Sequence, residues 1–154
     1  MAEVSYQLWF LVRYVHVAAG AVLAGGAVLT AIICSAAVGL DIGVLTSIAS
    51  AYEWTFWSLA GIVAATGVSN LGLKGEGLVG PDTSWGTALS VKLGAALFLL
   101  ALSFVRSDIV ARCRASSVIH EARLRSTLTT VYASTGLTLL GVLWLGLGLA
   151  HGRY

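Results

Sequence analysis

Residues 9–38 of the chain read WFLVRYVHVAAGAVLAGGAVLTAIICSAAV, a run whose only basic side chains are Arg13 and His16 and that contains no acidic residue. A helix needs about 20 predominantly apolar residues to cross the roughly 30 Å hydrocarbon layer of a bilayer. The run exceeds that length, and it lacks the basic start and the short apolar segment that are typical of a secretory signal peptide. It is therefore predicted to form a transmembrane helix.

Three further apolar stretches follow, at about residues 54–73, 85–105 and 128–150. None of them shows the alternation of polar and apolar residues that is typical of a barrel strand. In lipid, only helices and closed barrels satisfy every backbone hydrogen bond. The sequence thus predicts an all-α protein, an integral membrane four-helix bundle that forms a single domain over residues 1–154. Glycines within these helices either let the helices pack closely or leave room for a flat cofactor.

The composition supports a membrane environment, since 58% of the 154 residues are hydrophobic and only 10% are charged. A soluble domain carries about 25% charged residues, so this chain lacks the polar surface of a soluble globule. The lipid bilayer is therefore the expected partner. The net charge is only +2, and the basic residues are not interleaved with base-stacking aromatics, which excludes a nucleic-acid partner.

The connection between the third and fourth stretches is rich in arginine. By the positive-inside rule, such a connection lies in the cytoplasm. Both termini and the loop at residues 74–84 are then expected to be extracytoplasmic. The arginines of this connection, residues 106–126, are Arg106, Arg112, Arg114, Arg123 and Arg125.

A layer of polar side chains is predicted near the extracytoplasmic ends of the helices. Ionisable residues inside a membrane cost roughly 2.5–3.5 kcal/mol each on insertion scales, so each one suggests a functional site. An up-and-down arrangement brings these residues, which come from all four helices, to the same side of the bundle. They are Arg13, His16, Asn70, Lys92 and His151.

The two histidines of this layer predict a b-type haem, with His16 and His151 as axial metal ligands. Arg13 and Lys92 would hold the haem propionates by charge-assisted hydrogen bonds. At about 1.5 Å per residue, His16 lies roughly 6–12 Å below the surface and His151 near it, so a shared centre requires a tilted haem or a longer fourth helix. Arg13 and Lys92 are also placed where they could snorkel to the interface, and His151 could be an interfacial residue.

No catalytic residue is predicted. Cys34 and Cys113 form no covalent haem-attachment motif, and no P-loop or zinc-protease motif occurs. The acidic residues are expected in loops or at helix ends, which argues against a proton relay of buried carboxylates. A role in redox chemistry or electron transfer is therefore favoured over independent catalysis.

Three stretches carry a resemblance to a known family. They are residues 14–26, with His16 nine residues before Gly25; residues 66–71, which read TGVSNL; and residues 83–93, which read TSWGTALSVKL. Together they resemble the copper resistance D (CopD) domain family over nearly the whole chain. The chain is more distantly similar to the haem-binding four-helix protoporphyrinogen oxidase family, which shares the histidine of the first helix.

The CopD resemblance implies a bacterial inner (plasma) membrane protein of copper handling or haem-linked redox chemistry, and it supports His16, Asn70 and Lys92 as polar site positions. Leu23 and Ala24 occupy the region where the family has a tryptophan. Relays that carry Cu(I) favour thioether and thiolate ligands, but the only methionine is Met1.

The leading hypothesis is therefore a small haem b protein of electron transfer, a carrier or a subunit of a respiratory-type complex. It would work with other membrane subunits or an extracytoplasmic redox protein. The alternatives are a copper-handling protein of resistance or uptake, with copper as the cofactor, and a structural subunit without a cofactor. A protoporphyrinogen oxidase would need a porphyrin pocket that the residues do not reveal.

Overall fold

The computed structural model describes residues 2–36, 39–72, 82–115 and 121–150. These residues form four α-helices and no strand: α1 (Ala2–Ala36), α2 (Ile42–Gly72), α3 (Ser84–Ala115) and α4 (Glu121–Ala150). The predicted all-α fold of four helices is confirmed. Hydroxyl side chains inside the helices donate to a carbonyl one turn earlier, as Thr30 does to Gly26 at 2.8 Å, so these polar groups are satisfied without water.

All four helices are longer than the apolar stretches that predicted them. α2 begins at Ile42 rather than near residue 54, and α3 continues to Ala115 rather than ending near residue 105. Most of the segment 39–53 between the first two apolar stretches, and much of the arginine-rich connection, are therefore helical. The physical reason is that the length of an apolar stretch reflects the thickness of the hydrocarbon layer. A helix can continue beyond that layer where its polar side chains find hydrogen-bond or ionic partners.

Two arginines of the arginine-rich region form ion pairs with carboxylates on the helix surface. Arg112 lies 2.8 Å from Asp108, and Arg125 lies 2.8 Å from Glu121, each pair being four residues apart. Such spacing places the two side chains one turn apart on one helix face and supports the helix there.

Short capping interactions define where α2 and α3 begin. Gly39 has a φ of 101°, in the left-handed region that favours glycine. The Asp41 carboxylate then accepts a hydrogen bond from the Gly43 amide at 2.6 Å, and the Thr83 hydroxyl accepts one from the Gly86 amide at 3.0 Å. Both side chains satisfy amides that have no partner within their own helix.

The helices form an up-and-down bundle in which α1 packs on α2 and α4, and α3 packs on α4 and α2. Cross-helix contacts establish that neighbours are antiparallel. Two contacts between α1 and α2 illustrate this. His16 bonds to Val63, and Leu23, further along α1, bonds to Tyr52, which is earlier on α2. The N-terminal end of α1 therefore lies beside the C-terminal end of α2, as the predicted polar layer requires.

Three of the helices are long and apolar enough to cross a membrane, over Tyr6–Ala36, Ser84–Ala115 and Glu121–Leu149. The protein is thus an integral membrane bundle. α2 has a similar length of 31 residues, but Glu53, Asn70 and its hydroxyl side chains lower its hydropathy. That α2 also crosses the membrane stays a prediction.

Several glycines allow close helix packing. A Cβ at Gly26 would lie 2.9 Å from the Tyr52 ring, and one at Gly136 would lie 2.9 Å from Val28. Small residues at such positions let backbones approach in lipid, where apolar burial between helices contributes little. Gly25 and Gly141 differ, because a Cβ there would meet nothing within 4 Å. Close packing therefore explains some of the glycines but not all of them.

Candidate functional site

His16 on α1 forms hydrogen bonds with residues near the C-terminal end of α2. Its Nδ1 lies 3.1 Å from the Val63 carbonyl oxygen and 3.0 Å from the Thr66 hydroxyl oxygen. The Thr66 hydroxyl itself donates to the Ile62 carbonyl at 2.6 Å. A carbonyl oxygen only accepts, so Nδ1 carries the proton and a neutral ring keeps its lone pair on Nε2. The ring is therefore fixed in the tautomer whose lone pair lies on Nε2.

Lys92 on α3 joins His16 in the same layer. The Lys92 ammonium lies close enough to His16 to interact with it electrostatically. It also lies against α4, because a Cβ at Gly146 would be 3.2 Å from the Lys92 Nζ. On α2, a Cβ at Gly67 would be 3.3 Å from the His16 Cε1. Residues of all four helices thus lie in one layer, with His16 and Lys92 at the same end of the bundle.

Asn70 lies one turn beyond Thr66 on the same face of α2. Its Oδ1 is buried and has no hydrogen-bond partner among the described residues. Most buried polar atoms are paired, so an unpaired one calls for an explanation. We define the His16 layer as His16, Thr66, Gly67, Asn70, Lys92 and Gly146.

Arg13 shows a contact outside the His16 layer. Its guanidinium carbon lies 5.1 Å from the centroid of the Trp9 ring, one turn closer to the start of α1. It makes no ion pair with the described residues. This contact matches the alternative in which Arg13 snorkels towards the interface.

His151, predicted as the second axial ligand, lies outside the described residues. Within residues 2–36, 39–72, 82–115 and 121–150, no group of three or more His, Cys, Asp or Glu side chains is arranged to hold a metal ion. In the described part of the chain, a histidine-based centre therefore rests on His16.

A second polar cluster, unexpected from the sequence, lies between α2, α3 and α4. Glu53 is only 8% exposed and Arg106 is fully buried, so the expectation that every acidic residue lies in a loop or at a helix end is wrong. Arg106 is likewise not a loop residue. Arg106 Nε lies 2.7 Å from one Glu53 oxygen, and its Nη2 lies 3.2 Å from the other. This is the bidentate geometry of a strong guanidinium–carboxylate pair.

Further donors complete the hydrogen bonding of this pair. The Tyr132 hydroxyl donates to Glu53 Oε1 at 2.8 Å, and the Ser107 hydroxyl donates to Oε2 at 2.6 Å. Arg106 Nη1 donates to Thr135 at 3.1 Å. Each carboxylate oxygen thus accepts two hydrogen bonds. We call these five residues the Glu53–Arg106 network.

Aromatic rings surround the guanidinium of Arg106. Its central carbon lies 4.3 Å from the Phe56 ring centroid and 5.1 Å from that of Tyr52. Ring faces attract a cation electrostatically, most strongly where water is excluded. Because the Glu53 oxygens are saturated and the cation is enclosed, the network is suited to holding three helices together rather than to transferring protons.

Comparison of the chain with protein-family models, with curated proteins and with solved structures gives no match. The resemblance to the CopD and protoporphyrinogen oxidase families therefore stays a prediction.

Proposed function

We propose that the protein is a small haem b-binding membrane protein of electron transfer, a carrier or a subunit of a respiratory-type complex, in which His16 would hold the haem iron. The observation that carries the proposal is the hydrogen bonding of His16. Its Nδ1 is held by Val63 and Thr66, which leaves Nε2 as the ligating atom. Ligand histidines almost always donate the other ring N–H to a carbonyl or carboxylate in this way, which fixes the ring orientation.

Lys92 supports the proposal through its charge. It is partly buried, and no described acidic side chain forms an ion pair with it. An unpaired ammonium within a membrane protein is costly. A haem propionate beside His16 would offset that cost with a charge-assisted hydrogen bond. The amide of Asn70, one turn from Thr66, offers a further donor and acceptor to the same group.

When bound, the haem would supply a one-electron iron couple whose potential depends on the axial ligands and on the polarity around them. The chain's own residues would orient the iron ligand and neutralise the propionates. We propose that His151 would be the second residue to hold the iron. We further propose a bacterial inner membrane with an extracytoplasmic His16 layer, where an extracytoplasmic redox protein or another membrane subunit exchanges electrons.

A reduced-minus-oxidised optical spectrum of the detergent-extracted protein, expressed with a supply of haem, tests the proposal. The wild type should show Soret and α bands, and His16→Ala should lose or strongly alter them. Tyr14→Phe is the matched control, because Tyr14 lies on the same helix with 63% of its surface exposed, and its bands should equal those of the wild type. A wild-type protein without either band would contradict the proposal.

Copper handling is a weaker alternative for the same layer. The described residues contain no metal-binding group of three or more His, Cys, Asp or Glu side chains. Cys34 lies roughly 27 Å from His16 along α1 at about 1.5 Å per residue. Metal analysis of the same wild-type and His16→Ala preparations separates the alternatives, because copper that is lost in the variant would favour a copper site.

The third alternative is a structural subunit of a larger membrane complex without a cofactor. The Glu53–Arg106 network joins three helices within this chain, which is compatible with each of the alternatives. A structural subunit should co-purify in fixed proportion with a larger complex and carry no cofactor, so the optical spectrum also decides this alternative.

A further inference from the structure

A cleft of about 310 Å³ lies between α2 and α3, on the side of the arginine-rich region. Its walls include Ser50, Trp54 and Trp57 from α2, and Val110, Ala111 and Arg114 from α3. On α2 these positions are three or four residues apart, and on α3 Arg114 lies three residues after Ala111 and four after Val110, so on each helix they share one face. We call this feature the α2–α3 cleft.

The two ends of the α2–α3 cleft differ in chemistry. At one end, Arg114 donates a hydrogen bond to the Ser50 hydroxyl at 2.9 Å. At the other end, the Trp57 indole donates to Ser107 at 3.0 Å. The segment from Ser50 to Trp57 is roughly 10 Å long at about 1.5 Å per residue. The cleft is therefore cationic at one end and aromatic along its length.

Arg114 supplies the uncompensated charge of the cleft. Glu53 also contributes to its lining, but that carboxylate is paired with the buried Arg106. Arg112, two residues before Arg114, is paired with Asp108 at 2.8 Å. Among the described residues, Arg114 has no acidic partner. The charge of the cleft thus favours an anion at the Arg114 end.

The remaining wall is apolar and open to the surroundings. Trp54 is 76% exposed, and Phe104, which is 66% exposed, packs on Trp57 with ring centroids 4.6 Å apart. An occupant of this surface should carry a negative group at one end and a long apolar body. Phospholipids of a bilayer have this shape, and basic sites between transmembrane helices bind anionic head groups.

We propose that the α2–α3 cleft binds an anionic phospholipid from the leaflet at the arginine-rich end. Arg114 pairs with the headgroup phosphate, and the acyl chains cover Trp54, Trp57 and Phe104. The site is separate from the His16 layer, so it does not depend on the haem proposal.

Native mass spectrometry of the full chain tests the proposal, with phosphatidylglycerol and phosphatidylcholine offered in equal amounts. The wild type should retain phosphatidylglycerol in preference to phosphatidylcholine. Arg114→Gln should weaken phosphatidylglycerol binding roughly fivefold, as expected for one arginine near a membrane surface. Arg114→Lys should retain most of the preference. Arg112→Gln is the matched control, because Arg112 is exposed on the same turn but already paired, and it should bind as the wild type does.

Filling the cleft gives a second test that leaves Arg114 in place. Ala111→Trp should displace the lipid while the helix content, measured by circular dichroism, stays unchanged. Equal retention by wild type and Arg114→Gln, no preference for phosphatidylglycerol, or full retention by Ala111→Trp would each overturn the proposal. Displacement of the lipid by inorganic phosphate alone would also overturn it, because the acyl chains would then contribute nothing.

Discussion

Removing one partner of the Glu53–Arg106 network should destabilise the bundle strongly. Arg106→Met replaces the guanidinium by an apolar chain of similar length and deletes its bonds to Glu53 and Thr135. The Glu53 carboxylate would keep only the hydrogen bonds from Tyr132 and Ser107. We therefore expect a buried, uncompensated negative charge in place of an ion pair.

The size of the effect follows from the burial of both groups. Arg106 is 0% exposed and Glu53 is 8% exposed, so water cannot replace the lost partner. Breaking a buried pair in this way costs about 3–5 kcal/mol, and a lone charge inside a membrane costs about 2.5–3.5 kcal/mol on insertion scales. A free energy of unfolding lower by about 3 kcal/mol is therefore expected. The double variant Glu53→Leu/Arg106→Met should recover most of that loss, because it leaves no charge and Tyr132 keeps its bond to the Ala49 carbonyl at 3.1 Å.

Denaturant titration in mixed micelles, followed by circular dichroism, measures these differences. Arg112→Met is the control, because the exposed Arg112–Asp108 pair should contribute only about 0.3–0.5 kcal/mol. A loss below about 1 kcal/mol for Arg106→Met would contradict a strongly coupled buried pair. A loss of stability in the double variant that equals the sum of the losses in Glu53→Leu and Arg106→Met would also contradict it.

Two further predictions concern the helix contacts and the His16 layer. Gly26→Ala should lower the free energy of unfolding by about 1–3 kcal/mol through overpacking, because the new Cβ would lie 2.9 Å from the Tyr52 ring. Gly25→Ala is the control, because a Cβ there meets nothing within 4 Å and should not lower stability. Equal midpoints of thermal unfolding for the two variants would contradict this packing. Thr66→Val should keep the haem bands, because Val63 still accepts the Nδ1–H of His16 at 3.1 Å, and should cost about 1 kcal/mol of stability for the lost hydrogen bond. Loss of the bands in Thr66→Val would show that the Val63 carbonyl alone does not fix the ring.

The number of helices and the placement of His16 and Lys92 at the same end of the bundle were predictable from the sequence. Both follow from the lengths of the apolar runs and of the connections between them. Each apolar run is long enough to cross a bilayer, and short connections between such runs make neighbouring helices antiparallel. His16 near the start of α1 and Lys92 near the start of α3 then lie at the same end of the bundle, whatever their detailed packing.

The Glu53–Arg106 network was not predictable in the same way. Both residues flank the apolar stretches, so a hydropathy argument assigns them to connections. The residues are 53 positions apart, and no local pattern pairs them. One signal was present: helices that continue through 42–53 and beyond residue 105 would place an acid on α2 and a cation on α3 at matching levels of an antiparallel pair.

Composition and the lengths of the apolar runs were enough to establish that the protein is a helical membrane bundle, because the preference for lipid is a sum over residues. Tertiary packing decided which groups meet. Gly25 and Gly26 are identical in chemistry, yet only Gly26 faces Tyr52, and Arg112 is exposed on the same helix that buries Arg106. With about 3.6 residues per turn, one position along a helix rotates a side chain by about 100°, so its partners depend on how each helix is turned against its neighbours.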